Sequence, residues 1–200
     1  IARGLSNPVS VRLFFQTMEV GKVLKRKLPR IGGCFATALD GCFGSVDAAL
    51  REPYRNDPQN TGVLFYTQEA VNAFAKEANR AGLQIEMHAI GDAAFDQAVN
   101  ALEAALKDFP RADHRHSVIH ACLPTEEGLA KAARLGIGIA AQPAFIHWPL
   151  EPQDYLEDIL GDRADRLNPL RTMLDHDIPV SGGSDAPCTL PDPSEGLYCA

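Results

Sequence analysis

The sequence predicts an α/β domain built on a parallel sheet. Short apolar runs alternate with amphipathic helical patterns along the whole chain. Residues able to ligate metals recur where the strand patterns give way to loops. No internal repeat or low-complexity tract interrupts that rhythm, and no domain boundary is visible, so residues 1–200 read as one domain.

Val11 to Phe15 is the first strand pattern. Cys34 to Leu39 is the second, with Phe35, Thr37 and Leu39 alternating with small residues. Thr67 is placed to cap a helix carrying Val71, Phe74, Ala75 and Ala78 on one face and stopped by Gly82. Leu83 to Ala89 follows as a strand, and Asp92 to Phe109 as the clearest helix, with Phe95, Val99, Leu102, Leu106 and Phe109 on one stripe. Ser117 to His120 is a strand, Thr125 to Leu135 a helix closed by Gly136, and Gly136 to Ala141 a strand. Asn168-Pro169 opens a helix with Asn as cap and Pro at its first position. Ile178 to Ser181 is the last strand, giving about six. Two long connections, Asp40 to Thr61 and Pro143 to about Arg166, are read as functional lids because loops of that length are uncommon in compact domains.

Bulk properties exclude several classes. With 200 residues, 46% apolar and 22% charged, the chain has ordinary globular composition. A net charge of −7 without a basic stripe argues against nucleic acid or an anionic membrane as partner. No apolar run approaches the roughly 18 residues of a membrane helix, and Ile1 to Leu5 shows no secretory pattern. Five scattered cysteines without a CxxC pair argue against a disulfide scaffold, so the cytoplasm is the expected compartment.

The chemistry gathers at strand ends. His88 closes the Leu83 to Ala89 strand, His120 closes the next, and Asp185 follows the last in Gly183-Ser184-Asp185-Ala186-Pro187. In a (β/α) barrel that rim is where active sites are built. Alternation puts Leu83, Ile85 and Met87 under the helices and turns Gln84, Glu86 and His88 to the interior. A row of inward polar residues suits a metal site with its hydrogen-bonded surroundings. Each signal alone is weak, since a single His at a strand end is more often structural.

Taken together, His88-Ala-Ile-Gly-Asp92, Arg115-His116 followed by Ile119-His120-Ala121, Gln142-Pro143 and Gly183 to Pro187 resemble the amidohydrolase superfamily. Within it the chain is most similar to family 3, the group that includes N-substituted formamide deformylase. Asp40-Gly41, Gly44-Ser45, Ala48 to Leu50, Glu52 to Tyr54 and Pro191 to Pro193 extend the resemblance over nearly the whole chain. It implies a (β/α)8 TIM barrel of metal-dependent hydrolase type, incomplete here and spanning roughly strands three to eight. It further implies that His88 and His120 bind a divalent metal, most often zinc, and that Asp185 joins metal to attacking water, with Asp185 and His120 catalytic. Asp40, Gln142 and Trp148 are weaker candidates for substrate contact or for supporting the metal ligands.

Two departures from the family pattern shape the expectations. The His-x-His pair of the family's first strand is missing. His114-Arg115-His116 has the letters but precedes the sixth strand, so the pair is expected upstream of Ile1, and this chain alone is not expected to be a competent hydrolase. Counting back from Asp40-Gly41, Ala36 stands where many relatives carry a bridging carboxylated Lys, which points to one metal ion rather than two. Cys34 and Asp40 share a face with Ala36 and could substitute, although Cys34 reads first as a small buried hydrophobe. The expected reaction is hydrolysis of a C–N bond in an amide, formamide or cyclic amide small-molecule substrate. The alternatives are deamination or ester hydrolysis on the same site, or a catalytically silent regulatory barrel. Exposed sheet edges make a homo-oligomer conceivable.

Overall fold

A computed structural model describes residues 11–200; Ile1 to Leu5, read above for a signal pattern, lie outside the described residues. Among the described residues, five strands form one sheet in chain order: β1 (Arg30–Ala38), β2 (Gln84–Ala89), β3 (Ser117–His120), β4 (Gly138–Ala141) and β5 (Val180–Gly182). Every neighbouring pair is parallel. Among the described residues the sheet does not close, so the fold is an incomplete barrel of the α/β class.

Crossover helices cover one face. After α1 (Val20–Lys25) come α2 (Gln68–Arg80), α3 (Asp92–Asp108) and α4 (Glu126–Leu135). Thr67 caps α2 by accepting from the Ala70 N–H, and Thr125 caps α4 by accepting from Gly128. Gly136 ends α4 in the left-handed region at φ +67°. Ile31, Ile85, Met87, Val118 and Ile139 of the sheet are buried with Val71, Phe74, Phe95, Val99 and Leu102 of the helices in one core. Truncating a side chain such as Phe95 there should cost about 3–5 kcal/mol.

Gly91 shows how tightly the first long connection is seated. A Cβ at this position would lie 2.0 Å from the Ala49 carbonyl oxygen, so only glycine lets the start of α3 approach that backbone.

Three sequence expectations are corrected. Val11 to Phe15 is not a strand: among the described residues Phe15 makes a single parallel bridge to Ile31, and Val11 and Leu13 are exposed. Asn168 does not cap a helix; it sits at φ +50°, and α6 spans Leu170–Asp175. The stretch from Pro143 to Arg166 is not an irregular loop. It forms a 3-10 helix (Pro143–His147), α5 (Gln153–Leu160) and a second 3-10 helix (Gly161–Arg166). Leu156, Ile159 and Leu160 supply the i, i+3, i+4 stripe that drives α5 inward. The chain ends in α7 (Pro193–Cys199).

The two long connections pack on each other rather than hang as free lids. Phe43, Ala48, Leu50 and Tyr54 of the first form a second core with Leu156, Ile159, Leu160 and Ala164 of the other, closed by Ile90, Cys122 and Leu123 from the strand ends. The Arg55 N–H donates to the Ile159 carbonyl at 2.8 Å, and Tyr155 Oη donates to the Phe43 carbonyl at 2.9 Å. This cap sits over the C-terminal rim of the sheet.

Candidate metal centre

β1 carries the least regular backbone of the sheet. Its pairing with β2 slips between Gly33 and Ala38, with Gly32 at φ +107° and Gly33 at φ +134°. Thr37 holds this bulge. Its hydroxyl lies 2.9 Å from the carbonyls of both Gly33 and Glu86, which share its one proton, and accepts from the Gly33 N–H at 2.8 Å. The bulge swings Phe35 outward, 82% exposed, and turns Cys34 toward the ends of β2 and β3.

There Cys34, His88 and His120 converge: one potential ligand atom from each lies within 4.8 Å of the others. Cys34 Sγ is 3.9 Å from His120 Nε2, and the His88 and His120 rings meet edge to face with centroids 4.6 Å apart. Asp185 joins them, with Oδ1 3.9 Å from Cys34 Sγ and Oδ2 4.0 Å from His120 Nε2. The structure thus brings the three residues singled out from the sequence into one place. His120 at φ +72°, Ala121 at φ +51° and Asp185 at φ +51° all take left-handed conformations. Such conformations cost about 1–3 kcal/mol each in non-glycine residues and are concentrated at functional sites.

The histidine tautomers follow from their partners. His88 Nε2 faces the Gly41 carbonyl at 3.0 Å and Asp40 Oδ1 at 3.4 Å, so it carries the proton and donates. Its Nδ1, buried and without a hydrogen-bond partner, is left as the lone pair. His120 presents the opposite nitrogen, with Nε2 facing Cys34 and Asp185. Burial, reinforced by His88, lowers the His120 pKa to about 3, so its imidazole is neutral near pH 7. Burial first, then the charges of Asp185 and Glu86, pushes the Cys34 thiol up to about 12. A cation bound beside it would reverse that, because a coordinating thiol gives up its proton. Two imidazoles, a thiol and a nearby carboxylate form a donor set that fits a borderline-soft divalent cation. The orphaned His88 Nδ1 is the kind of buried acceptor that such an ion satisfies.

The weaker candidates divide. Asp40 is buried and accepts from the N–H groups of Ala49, Ile90 and Gly91 at 2.8–3.0 Å, which fixes the loop under His88. It organises backbone, faces His88 and contributes to the lining of the cavity. Trp148 lines the cavity, stacks on Phe145 at 5.0 Å and donates from Nε1 to the Cys188 carbonyl at 3.0 Å. Phe145 in turn stacks on the His120 ring at 5.8 Å. Gln142 is buried at the end of β4. The cavity over the centre has a volume of about 870 Å³, and Phe35, Phe65 and Trp148 contribute aromatic wall.

Cys34 is the site residue that sequence reasoning underrated. Counting along a regular strand singled out Ala36, whereas the bulge turns Cys34 toward the cluster. Adjacent glycines inside a strand pattern, Gly32-Gly33, were the available signal. His114 and His116 lie at the opposite end of β3, away from this cluster. His147 is exposed, and His176 pairs with Glu126 at 2.6 Å.

An open parallel (β/α) sheet with histidines and an aspartate at its C-terminal rim is the arrangement on which barrel-type active sites are built. Comparison with known proteins makes this specific. The amidohydrolase family profile matches residues 32–200, and the chain belongs to that family. It is 33% identical over 169 residues to YtcJ of Bacillus subtilis, named as an amidohydrolase, covering 84% of this chain and 31% of that protein. It is 28% identical over 177 residues to N-substituted formamide deformylase of Arthrobacter pascens, covering 84% of this chain and 30% of that protein. A crystal structure of an uncharacterized metal-dependent hydrolase from Pyrococcus furiosus shares the fold with TM-score 0.79 at 24% identity, over 96% of this chain and 40% of that one. The chain therefore spans about a third of the length of these curated relatives.

Proposed function

We propose that this chain carries part of the catalytic centre of a metal-dependent hydrolase that cleaves a C–N bond in an amide, formamide or cyclic amide. The observation that supports it most is the convergence of Cys34, His88 and His120 with Asp185 on the rim of a parallel sheet. Zinc suits the mixed sulfur and nitrogen donors, and one ion is proposed rather than two. When bound, such an ion supplies Lewis acidity that brings the pKa of water toward about 7.

The remaining steps belong to the protein. Asp185, whose carboxylate reaches the centre from outside the His88–His120 pair, takes the proton from the attacking water and delivers it to the leaving nitrogen. His120, neutral and pinned between Phe145 and His88, offers Nε2 without a competing proton. The aromatic walls exclude water from the substrate's organic substituent and hold the scissile bond over the centre.

The test is hydrolysis of a small panel of N-substituted formamides and cyclic amides by zinc-loaded protein containing this chain. Activity should vanish with a chelator, return with zinc, and fall by at least about 100-fold in Asp185→Asn. Turnover that survives both treatments would refute the proposal.

A further inference from the structure

We propose that Glu151 determines which substrates the cavity accepts: its carboxylate recognises an organic cation, an ammonium group on the part of the substrate away from the scissile bond. The proposal rests on the hydrolase reading above and names the substrate class for that site.

Glu151 stands in the wall of the same cavity as His88, His120 and Asp185. Among the described residues that wall holds the carboxylates of Asp40, Glu151, Asp165 and Asp185 and no Lys or Arg. Three of the four are accounted for otherwise. Asp40 accepts from backbone N–H groups, Asp185 faces the metal centre, and Asp165 is exposed to solvent. Glu151 is 8% exposed, and the groups that bond its carboxylate are the Gly44 N–H, at 2.6 Å, and the Cys42 thiol. Neither is a cation, so burial pushes the carboxyl above its usual range. A carboxylate buried without a counter-charge is costly, and a cation entering the cavity beside it relieves that cost.

The rest of the wall suits the same guest. Phe35, Phe65 and Trp148 present aromatic surface to the cavity. Aromatic faces beside a carboxylate are the surroundings in which proteins hold ammonium groups. The Glu151 N–H donates to the Trp148 carbonyl at 3.1 Å, so one turn brings indole and carboxylate to the wall together. Gly44 leaves room for the carboxylate, since a Cβ there would lie 3.0 Å from Glu151 Oε1. An anionic substituent in this position would meet like charge and be turned away.

The test reads binding apart from turnover. Protein containing this chain is titrated calorimetrically with benzyltrimethylammonium, benzyl alcohol and benzenesulfonate; the first has no lone pair with which to ligate a metal. The cation should bind at least about 10-fold more tightly than the alcohol, and the sulfonate more weakly than either. Glu151→Gln, which keeps an acceptor for the Gly44 N–H, should cut the cation-to-alcohol affinity ratio about 10-fold. A merely structural role would lower both affinities together and leave the ratio alone. Equal affinity for cation and alcohol in wild type, or an unchanged ratio in Glu151→Gln, overturns the proposal. Should Glu151→Gln fail to fold, the wild-type series decides by itself. In turnover of N-benzylformamides substituted at the ring's 4-position, aminomethyl should give the highest kcat/KM and carboxylate the lowest. Preference for the cation in binding with no formamide hydrolysed would overturn the hydrolase reading and leave Glu151 its role.

Discussion

The strand that ends in His120 has a histidine pair at each end, and the two pairs share a centroid separation of 4.6 Å. At the N-terminal end every ring nitrogen is spoken for. His116 Nδ1 accepts the Ile85 N–H, and its Nε2 faces Asn79 Oδ1. His114 Nδ1 accepts the His116 N–H, and its Nε2 donates to the Leu135 carbonyl. Arg111 completes this network by donating to Asn79, Gly82 and Leu83. At the C-terminal end both Nδ1 atoms are buried without partners; His88 Nε2 faces the Gly41 carbonyl, and His120 Nε2 faces a thiol and a carboxylate at the cavity. Two histidines in close contact thus do not define a site. What separates a structural pair from a ligating one is whether the protein itself satisfies the ring nitrogens.

That contrast is open to attack from either side. The largest expected effect is on metal uptake. His120→Ala should weaken zinc binding by at least about 100-fold, whereas His116→Ala should leave the zinc stoichiometry of the folded protein unchanged, as measured by atomic absorption after dialysis. Next is folding stability. Asp40→Ala leaves the N–H groups of Ala49, Ile90 and Gly91 without their acceptor and should cost about 3–5 kcal/mol in denaturant unfolding, more than any change confined to the cavity wall. His116→Ala should cost about 2–4 kcal/mol, because it strands the Ile85 N–H and opens a cavity.

Acid should expose the N-terminal pair as well. An unfolded chain protonates a histidine near 6.5, but burial, together with His114 and Arg111, lowers the folded His116 to about 3. As pH falls, the unfolded state takes up this proton first. The stability that the neutral ring contributes is complete above about 6.5 and is lost progressively toward about 3. Unfolding midpoints measured across that range should fall with pH, and His116→Asn should flatten the slope. His120 adds a slope of the same sign. The smallest effect is at the cavity wall: Trp148→Phe loses one hydrogen bond to Cys188 and should cost about 1 kcal/mol.

Much of this was legible in the sequence, for identifiable reasons. The period-3.6 stripes of α2 and α3 and the caps at Thr67 and Thr125 fixed those helices, since local pattern and tertiary burial agree there. His88, His120 and Asp185 were legible because each falls where a strand gives way to a loop. Three things were not. Cys34 enters the centre through a bulge, which breaks the two-residue period used to count along β1. The Pro143 to Arg166 stretch hid α5 behind proline, glycine and charged residues, and its helix is held by packing on Leu50 and Tyr54 from a distant part of the chain. Val11 to Phe15 had a strand's composition, but among the described residues its pairing with β1 is a single bridge at Phe15.

The central claim is that Cys34, His88 and His120 together hold the metal, and X-ray absorption on the zinc-loaded chain tests it most directly. The spectrum should show one sulfur at about 2.3 Å beside nitrogen or oxygen ligands at about 2.0 Å. The sulfur shell should disappear in Cys34→Ser and survive in His116→Ala. A zinc environment with no sulfur in the wild-type chain, or one unaltered by Cys34→Ser, would contradict the account.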